Sequence, residues 1–120
     1  MNSILWVGQL FLAATFLYSG VCKTILSEQQ LITRGQTGVV GLNATSIHLI
    51  GIAEILGAAG IILPWLLHIA SWLTPVSALC FALIMALAAP IHYRLKEYKN
   101  VTFNLAVLLI SLFVAWGRFR

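Results

Sequence analysis

The chain consists of four long apolar segments separated by three polar stretches. A helix needs about 20 predominantly apolar residues to cross a bilayer, and each segment is close to that length. The pattern predicts transmembrane helices at about 4–22, 47–66, 69–90 and 101–117. The fourth segment is slightly short, but Arg118 and Arg120 can extend their charged groups to the interface and anchor its end. We therefore predict an all-α fold, a transmembrane four-helix bundle that forms a single domain over 1–120.

Local signals indicate where these helices begin and end. Thr45 or Ser46 is a suitable N-cap for the second helix. Pro64 is expected to end or kink the second helix, and Pro90 to close the third, because proline has no N–H for the helical ladder. The first segment is interpreted as a retained helix rather than a cleaved signal peptide, since no basic residue precedes Lys23 and no A-x-A-like site is present.

The longest polar stretch, 23–46, joins the first two helices. It contains apolar residues that are expected to form a turn or two of amphipathic helix, namely Ile25, Leu26, Leu31 and Ile32. Such a segment is predicted to lie in the plane of the membrane interface.

Composition supports a membrane protein and excludes several other classes. Hydrophobic residues make up 61% of the chain and charged residues 8%, whereas soluble domains carry about 25% charged residues. The mean hydropathy is +0.99. The net charge of +4 comes from basic residues near helix ends, which suits contact with lipid headgroups rather than with nucleic acid.

The distribution of basic residues predicts an orientation. The first and third loops hold Lys23, Arg34, Arg94, Lys96 and Lys99, whereas the opposite side holds Arg118 and Arg120. Because basic residues concentrate on the cytoplasmic side, both termini are predicted to lie outside the cytoplasm. Arg94, Lys96, Lys99, Arg118 and Arg120 are assigned as headgroup or topology anchors.

Small side chains recur at the spacing that membrane helices use for close packing. In the third helix they stand every four residues, at Thr74, Ala78, Ala82 and Ala86. This spacing forms one stripe on a helix of 3.6 residues per turn. The stripe is interpreted as a packing surface.

Glu54 stands inside the second apolar segment and is one of three acidic residues in the chain. A carboxylate near the centre of a membrane helix costs roughly 2.5–3.5 kcal/mol on insertion scales. Glu54 is therefore expected to face protein, water or a ligand rather than lipid. It is either a functional group or a structural one that holds the helices in register.

Other polar side chains are predicted to lie at the same depth as Glu54. Counting about 1.5 Å per helical residue, five can gather near it: Tyr18, Lys23, His48, His92 and Asn104. The other half of the bundle offers only Gln9, Thr74 and Ser77. Such a cluster would hold the polar head of an amphipathic molecule or relay protons. The structural alternatives are an ion pair with Lys23, interfacial placement of the aromatic and histidine side chains, and an interhelical hydrogen bond from Asn104.

Metal and thiol chemistry are not expected. His48 and Glu54 are six residues apart and point to different faces of a helix, and no E-x-x-H motif is present. Cys22 and Cys80 are predicted to differ in depth by roughly 15 Å, too far for a disulfide. We predict no metal and no intrinsic cofactor.

Four segments in order resemble the DoxX-like family of small four-helix membrane proteins. They are FLYSGVCK at 16–23, GIAEILGA at 51–58, MALAAPIH at 85–92, and Asn104 together with WGR at 116–118. The resemblance covers nearly the whole chain and implies a multi-pass protein of the bacterial inner membrane. It aligns the glutamate, lysine, histidine and terminal arginine of the family with Glu54, Lys23, His92 and Arg118.

The polar cluster and the resemblance together leave three functions open, in decreasing order of expectation. The first is a redox-associated protein that binds a quinone or a similar amphipathic molecule around Glu54, with electrons supplied by a membrane oxidoreductase subunit. The second is a non-enzymatic assembly factor or scaffold for a client protein. The third is a small-solute or proton carrier, as a homo-oligomer. A cavity beside Glu54 would favour the first function, and a tightly packed interior with Glu54 paired would favour the second.

Overall fold

The computed structural model describes residues 2–34 and 41–119. Its helices are α1 (Asn2–Ile25), α2 (Glu28–Thr33), α3 (Ala44–Leu67), α4 (Leu73–Arg94) and α5 (Tyr98–Phe119). All except α2 are long and apolar enough to cross a membrane. The described residues contain no strand, and the predicted all-α, four-helix class is confirmed.

The long helices form a ring in which α1 and α4 each contact both α3 and α5. The rings of Phe16 and Phe81 stack across its centre with centroids 3.8 Å apart. Other fully buried core side chains surround them: Leu12, Ile61, Ala78, Val107 and Val114. The outer faces carry exposed large apolar side chains, including Leu56, Leu83 and Leu109. Such an apolar exterior suits lipid contact on all sides.

Several helix boundaries differ from the sequence prediction. Asn43, not Thr45 or Ser46, caps α3, and its side-chain oxygen accepts a hydrogen bond from the Ser46 amide at 2.8 Å. Pro64 does not end α3, which continues to Leu67. Likewise, α4 continues through Pro90 to Arg94. Neighbouring groups in a bundle can take over the hydrogen bonds that a proline removes, so the helix need not stop.

Pro64 shows how this substitution of partners works. Its missing N–H would have bonded to the carbonyl of Gly60, four residues earlier. That carbonyl instead accepts a hydrogen bond from the Thr74 hydroxyl of α4, at 3.2 Å. The same bond ties α3 to α4 beside the turn that joins them.

The stripe of small residues on α4 was predicted to be a packing surface. Thr74, Ala78 and Ala82 are buried as predicted, but Ala86 is exposed. The closest approach joins α1 and α3 at Gly20 and Gly51. A Cβ atom on Gly20 would lie 2.7 Å from the Gly51 carbonyl oxygen, and one on Gly51 would lie 2.9 Å from the Gly20 carbonyl oxygen. Two backbones can approach this closely only because neither residue has a side chain.

The short helix α2 packs onto one end of the bundle. A capping box begins it, with the Ser27 hydroxyl accepting from the Gln30 amide and the Gln30 side chain accepting from the Ser27 amide. Leu31 of α2 is fully buried against Cys22 and Ile47. Part of the predicted amphipathic turn therefore faces protein rather than the membrane interface.

Candidate functional site

A buried ion pair joins α1 to α3. Lys23 Nζ lies 2.7 Å from Glu54 Oε1, and it also donates to the Ser19 hydroxyl at 3.0 Å. The Glu54 side chain is fully buried, and that of Lys23 is 12% exposed. The contact of Gly20 with Gly51 explains this pair, because Lys23 and Glu54 follow those glycines by one helical turn.

The direction of the Lys23 side chain also follows from helix geometry. Side chains of a helix tilt toward its N-terminus, which for α1 is the direction of the bundle interior. Lys23 therefore reaches back over Ser19 to Glu54 instead of extending into the first loop. Counting loop charges treats Lys23 only as a topology signal. In the structure Lys23 instead compensates the charge of Glu54 inside the bundle.

A cavity of about 700 Å³ lies beside this pair. All four long helices contribute to its lining, which combines apolar walls with polar groups. Its polar side chains are Thr15, Tyr18, Ser19, Lys23, Glu54, His92, Asn100 and Asn104. Its apolar walls include Phe16, Ile84, Met85 and Ala88. This cavity collects five of the six predicted candidates: Glu54, Lys23, Tyr18, His92 and Asn104.

Two buried polar atoms of cavity-lining residues lack a hydrogen-bond partner among the described residues. One is Glu54 Oε2, an acceptor, and the other is Asn104 Nδ2, a donor. Buried polar groups in folded proteins are nearly always paired, so each such atom requires an explanation. Glu54 and Asn104 line the same cavity, so one bound molecule is a common explanation for both atoms.

The cavity is open to the outside of the bundle between helices. Tyr18, Leu87 and Phe103 line it, and each is also exposed on the outer surface. At the opposite end α1 and α5 pack closely, where a Cβ on Gly8 would lie 3.0 Å from the Val114 side chain. An amphipathic molecule could thus enter from the lipid phase at the end of the bundle where Tyr18 lies.

His92 lies at the rim of this site and is mostly buried. Its Nδ1 atom is 2.9 Å from Glu97 Oε1, in the turn between α4 and α5. The direction of the proton in this contact depends on the histidine tautomer. The contact fixes the imidazole ring beside the cavity and connects it to a half-exposed carboxylate.

The remaining predicted residues lie elsewhere. His48 is exposed and does not line the cavity. Arg94, Lys96 and Lys99 are exposed around the turn between α4 and α5, where anchors were predicted. Arg120 lies outside the described residues. Within 2–34 and 41–119, no group of three His, Cys, Asp or Glu residues is arranged to hold a metal ion.

A second polar cluster occupies the other end of the bundle, where few polar groups were predicted. Arg118 is buried, and it donates from Nε to Gln9 Oε1 and from Nη1 to Asn2 Oδ1, both at 2.7 Å. Its guanidinium carbon also lies 4.4 Å from the centroid of the Trp65 ring. The prediction that the Arg118 side chain extends from the helix end to the interface was therefore wrong, because it turns into the bundle; its assignment as a headgroup anchor stays a prediction. The side chain faces the bundle because α5 buries the side that carries Val114 and Ser111, one and two turns earlier.

Comparison with protein families gives a match that agrees with this geometry. The model of the DoxX-like family matches residues 7–114, which include the ion pair, the cavity and most of each long helix. Neither the curated proteins nor the solved structures give a match. The match extends over far more than half of the sequence, and the chain belongs to the DoxX-like family, as a multi-pass integral membrane protein.

Proposed function

We propose that this protein binds an amphipathic small molecule, of which a quinone is the best candidate, in the cavity beside Glu54. One observation carries the proposal: two residues that line a cavity between membrane helices each have a buried polar atom without a partner among the described residues, the acceptor Glu54 Oε2 and the donor Asn104 Nδ2. A ligand with a polar head and an apolar tail would satisfy both atoms and fill the apolar walls.

The size and polarity of the cavity fit such a ligand. Small-molecule sites in proteins span about 300–1,000 Å³ and combine mostly apolar walls with a few placed polar groups. The cavity of about 700 Å³ falls within that range. A quinone carbonyl accepts hydrogen bonds, as Asn104 Nδ2 requires, and a quinol hydroxyl donates them, as Glu54 Oε2 requires. Asn104 Nδ2 therefore suits both redox states of the head, and Glu54 Oε2 suits the quinol.

Each residue has a defined part in this proposal. Lys23 holds Glu54 Oε1 and compensates its charge, which leaves Oε2 as the atom that accepts from the ligand or takes its proton. Asn104 donates to the other side of the head. His92 and Glu97 offer the next titratable groups toward the surface. A bound quinone would supply two-electron redox chemistry, with electrons from a membrane oxidoreductase subunit.

A binding titration tests the proposal. The purified protein, in nanodiscs, is titrated with a short-chain ubiquinone or menaquinone analogue while intrinsic tryptophan fluorescence is followed. Asn104→Leu should weaken binding of either redox form about tenfold, and Glu54→Gln should weaken binding of the analogue reduced to the quinol about tenfold, as expected for the loss of one buried hydrogen bond to the ligand.

A matched pair of variants separates the cavity from the lipid surface. Ala88→Phe places a ring in the cavity and should abolish binding. Ala106→Phe places the same ring on the exposed face of α5 and should leave binding unchanged. Equal effects of the two variants, or binding that survives Ala88→Phe in a folded protein, would refute the cavity as the binding site.

The closed ion pair favours a second candidate, a non-enzymatic scaffold for a client membrane protein. Glu54 Oε1 and Lys23 satisfy each other inside the bundle, as a purely structural role requires. On that account Glu54→Gln lowers stability, and no quinone analogue binds to wild type. The titration above therefore distinguishes the two candidates.

A further inference from the structure

The most unusual group outside the cavity is the guanidinium of Arg118. It is 6% exposed, and it lies where α1 begins and where α3 and α5 end. Its two hydrogen-bond acceptors, Gln9 Oε1 and Asn2 Oδ1, are neutral amide oxygens. The Trp65 and Trp6 rings lie 4.4 and 5.6 Å from the guanidinium carbon.

No carboxylate within the described residues compensates the charge of Arg118. Glu54 pairs with Lys23, and Glu97 contacts His92. Glu28 and Glu97 lie at the opposite end of the bundle, since α5 runs from Tyr98 to Phe119 and rises roughly 30 Å over its length. An arginine stays protonated in proteins, so this buried charge needs a counter-ion.

One nitrogen of the guanidinium is also unfilled. Arg118 Nη2 is buried and has no hydrogen-bond partner in the part of the chain that the structure describes. The Asn2 side chain, which occupies Nη1, is exposed at the start of α1. If Asn2 moved aside, Nη1 and Nη2 together would present the two parallel donors that bind an oxyanion in bidentate geometry.

We propose that Arg118 forms a binding site for a phosphate oxyanion at the end of the bundle that carries both termini. The two indole rings suit the headgroup level of a bilayer, where tryptophan is enriched and where lipid phosphates lie. The ligand is the phosphodiester of an anionic lipid or free inorganic phosphate, which share this chemistry. Gln9 orients the guanidinium through Nε, and Gln9 is itself fixed by donating to the Ile61 carbonyl at 2.7 Å.

This site is separate from the cavity beside Glu54, and it does not depend on the proposed quinone function. Gln9 and Asn2 lie on α1 about four and six turns before Lys23. A failure of either proposal therefore leaves the other intact.

Two assays distinguish the two sources of the phosphate group. In the first, native mass spectrometry measures retention of phosphatidylglycerol against phosphatidylcholine on wild-type protein. In the second, thermal unfolding in phosphatidylcholine nanodiscs is followed with added inorganic phosphate, and with chloride at equal ionic strength. Preference in the first assay alone identifies the lipid, and stabilisation in the second identifies the free ion. The absence of both effects overturns the proposal.

Two variants test whether Arg118 is responsible for the lipid preference. Arg118→Gln should lower the wild-type preference about tenfold, as expected for the loss of a charge-assisted bidentate contact. Arg34→Gln removes an exposed arginine that follows α2 at the other end of the bundle, and it should change the preference less than twofold. Equal losses in the two variants would indicate general surface charge and overturn the proposal.

Asn2→Ala keeps the test decisive if Arg118→Gln does not fold. Asn2 is exposed at the first described position of α1, so its truncation leaves the core intact. Removing the competing amide oxygen should strengthen binding of the phosphate group about threefold to tenfold. Unchanged or weaker binding by this variant would overturn the site.

Discussion

The ion pair between Lys23 and Glu54 leads to a quantitative prediction, because the two side chains differ in their access to water. Glu54 is fully buried, whereas Lys23 is 12% exposed and stands in the last turn of α1. Lys23→Met would leave an uncompensated carboxylate inside the bundle. Glu54→Met would leave a lysine whose long side chain can extend to the interface. The first variant should therefore be the less stable of the two.

The magnitudes follow from this difference. Removing one partner of a buried ion pair costs about 3–5 kcal/mol in water-soluble proteins. We expect about 3 kcal/mol for Lys23→Met, because helices that unfold in a micelle still find polar partners there. Glu54→Met should cost about 1–2 kcal/mol, since only the ion-pair hydrogen bond is lost. The double variant should lie within about 1 kcal/mol of wild type, because two apolar side chains can replace a buried pair at little cost.

The assay is reversible unfolding in mixed micelles of increasing dodecyl sulfate fraction, followed by circular dichroism. Arg94→Met, which removes an exposed basic side chain from the same end of the bundle, serves as the control and should shift stability by less than about 0.5 kcal/mol. Single losses that are equal and add up in the double variant would show that the two charges are not coupled. That result would refute the pairing on which the geometry of the site rests.

Three further predictions test the fold around the site. Gly20→Ala should destabilise the bundle by about 1–3 kcal/mol in the same unfolding assay, because the new methyl group would meet backbone atoms of α3. In Gly8→Ala the new methyl group meets only side-chain methyl groups, so this variant should cost clearly less. Equal costs would contradict the close approach of α1 and α3. Thr74→Val should lower the free energy of unfolding by about 0.5–1.5 kcal/mol, because its hydrogen bond to the Gly60 carbonyl is lost. A neutral effect would show that this bond does not stabilise the bundle. For the orientation, a C-terminal alkaline phosphatase fusion should be active and a C-terminal fluorescent protein fusion dark, since the basic loops are predicted to face the cytoplasm; the reverse pattern would invert the topology.

Much of the fold follows from the spacing of apolar residues. Four segments of sufficient length and hydropathy give four membrane helices, and depth along each helix brings Lys23, Glu54, His92 and Asn104 to one level. Depth alone does not give the direction of a side chain. The buried positions of α3 recur at Ile47, Gly51, Glu54, Ala58 and Ile61. His48 falls off this stripe, so periodicity applied to α3 would have excluded it.

Periodicity also contained the signal for the second polar cluster. Gln9 shares a stripe with Leu5, Leu12 and Phe16, all buried on α1. Arg118 was assigned from its place at a helix end, where arginine commonly extends to the interface. Its place on the buried stripe of α5, one turn after Val114, indicates its inward direction. Its partners are acceptors from α1 and the Trp65 ring of α3, which are 53 or more residues away in sequence. No local pattern encodes such contacts, and only the packed bundle shows them.

Whether Pro64 would end α3 or be accommodated within it could not be decided from the sequence, for the same reason. Proline reliably removes one helical hydrogen bond, but whether the helix ends depends on what replaces it. Here the replacement is the Thr74 hydroxyl of the next helix, which the turn at 68–72 brings opposite Gly60. No pattern in the sequence indicates which carbonyl the Thr74 hydroxyl reaches.

The most direct test of the proposed function is photo-crosslinking with an azido-quinone analogue in native membranes, followed by peptide mapping. Binding in the cavity predicts labels on the stretch 15–23 of α1 and on 100–104 of α5, which line it together. An excess of the unmodified quinone should suppress these labels, and Ala88→Phe should abolish them. Labels spread over exposed residues such as Leu56 and Leu109, and unaffected by the competitor, would show that the analogue reports only the surrounding lipid. That result would contradict a ligand site beside Glu54.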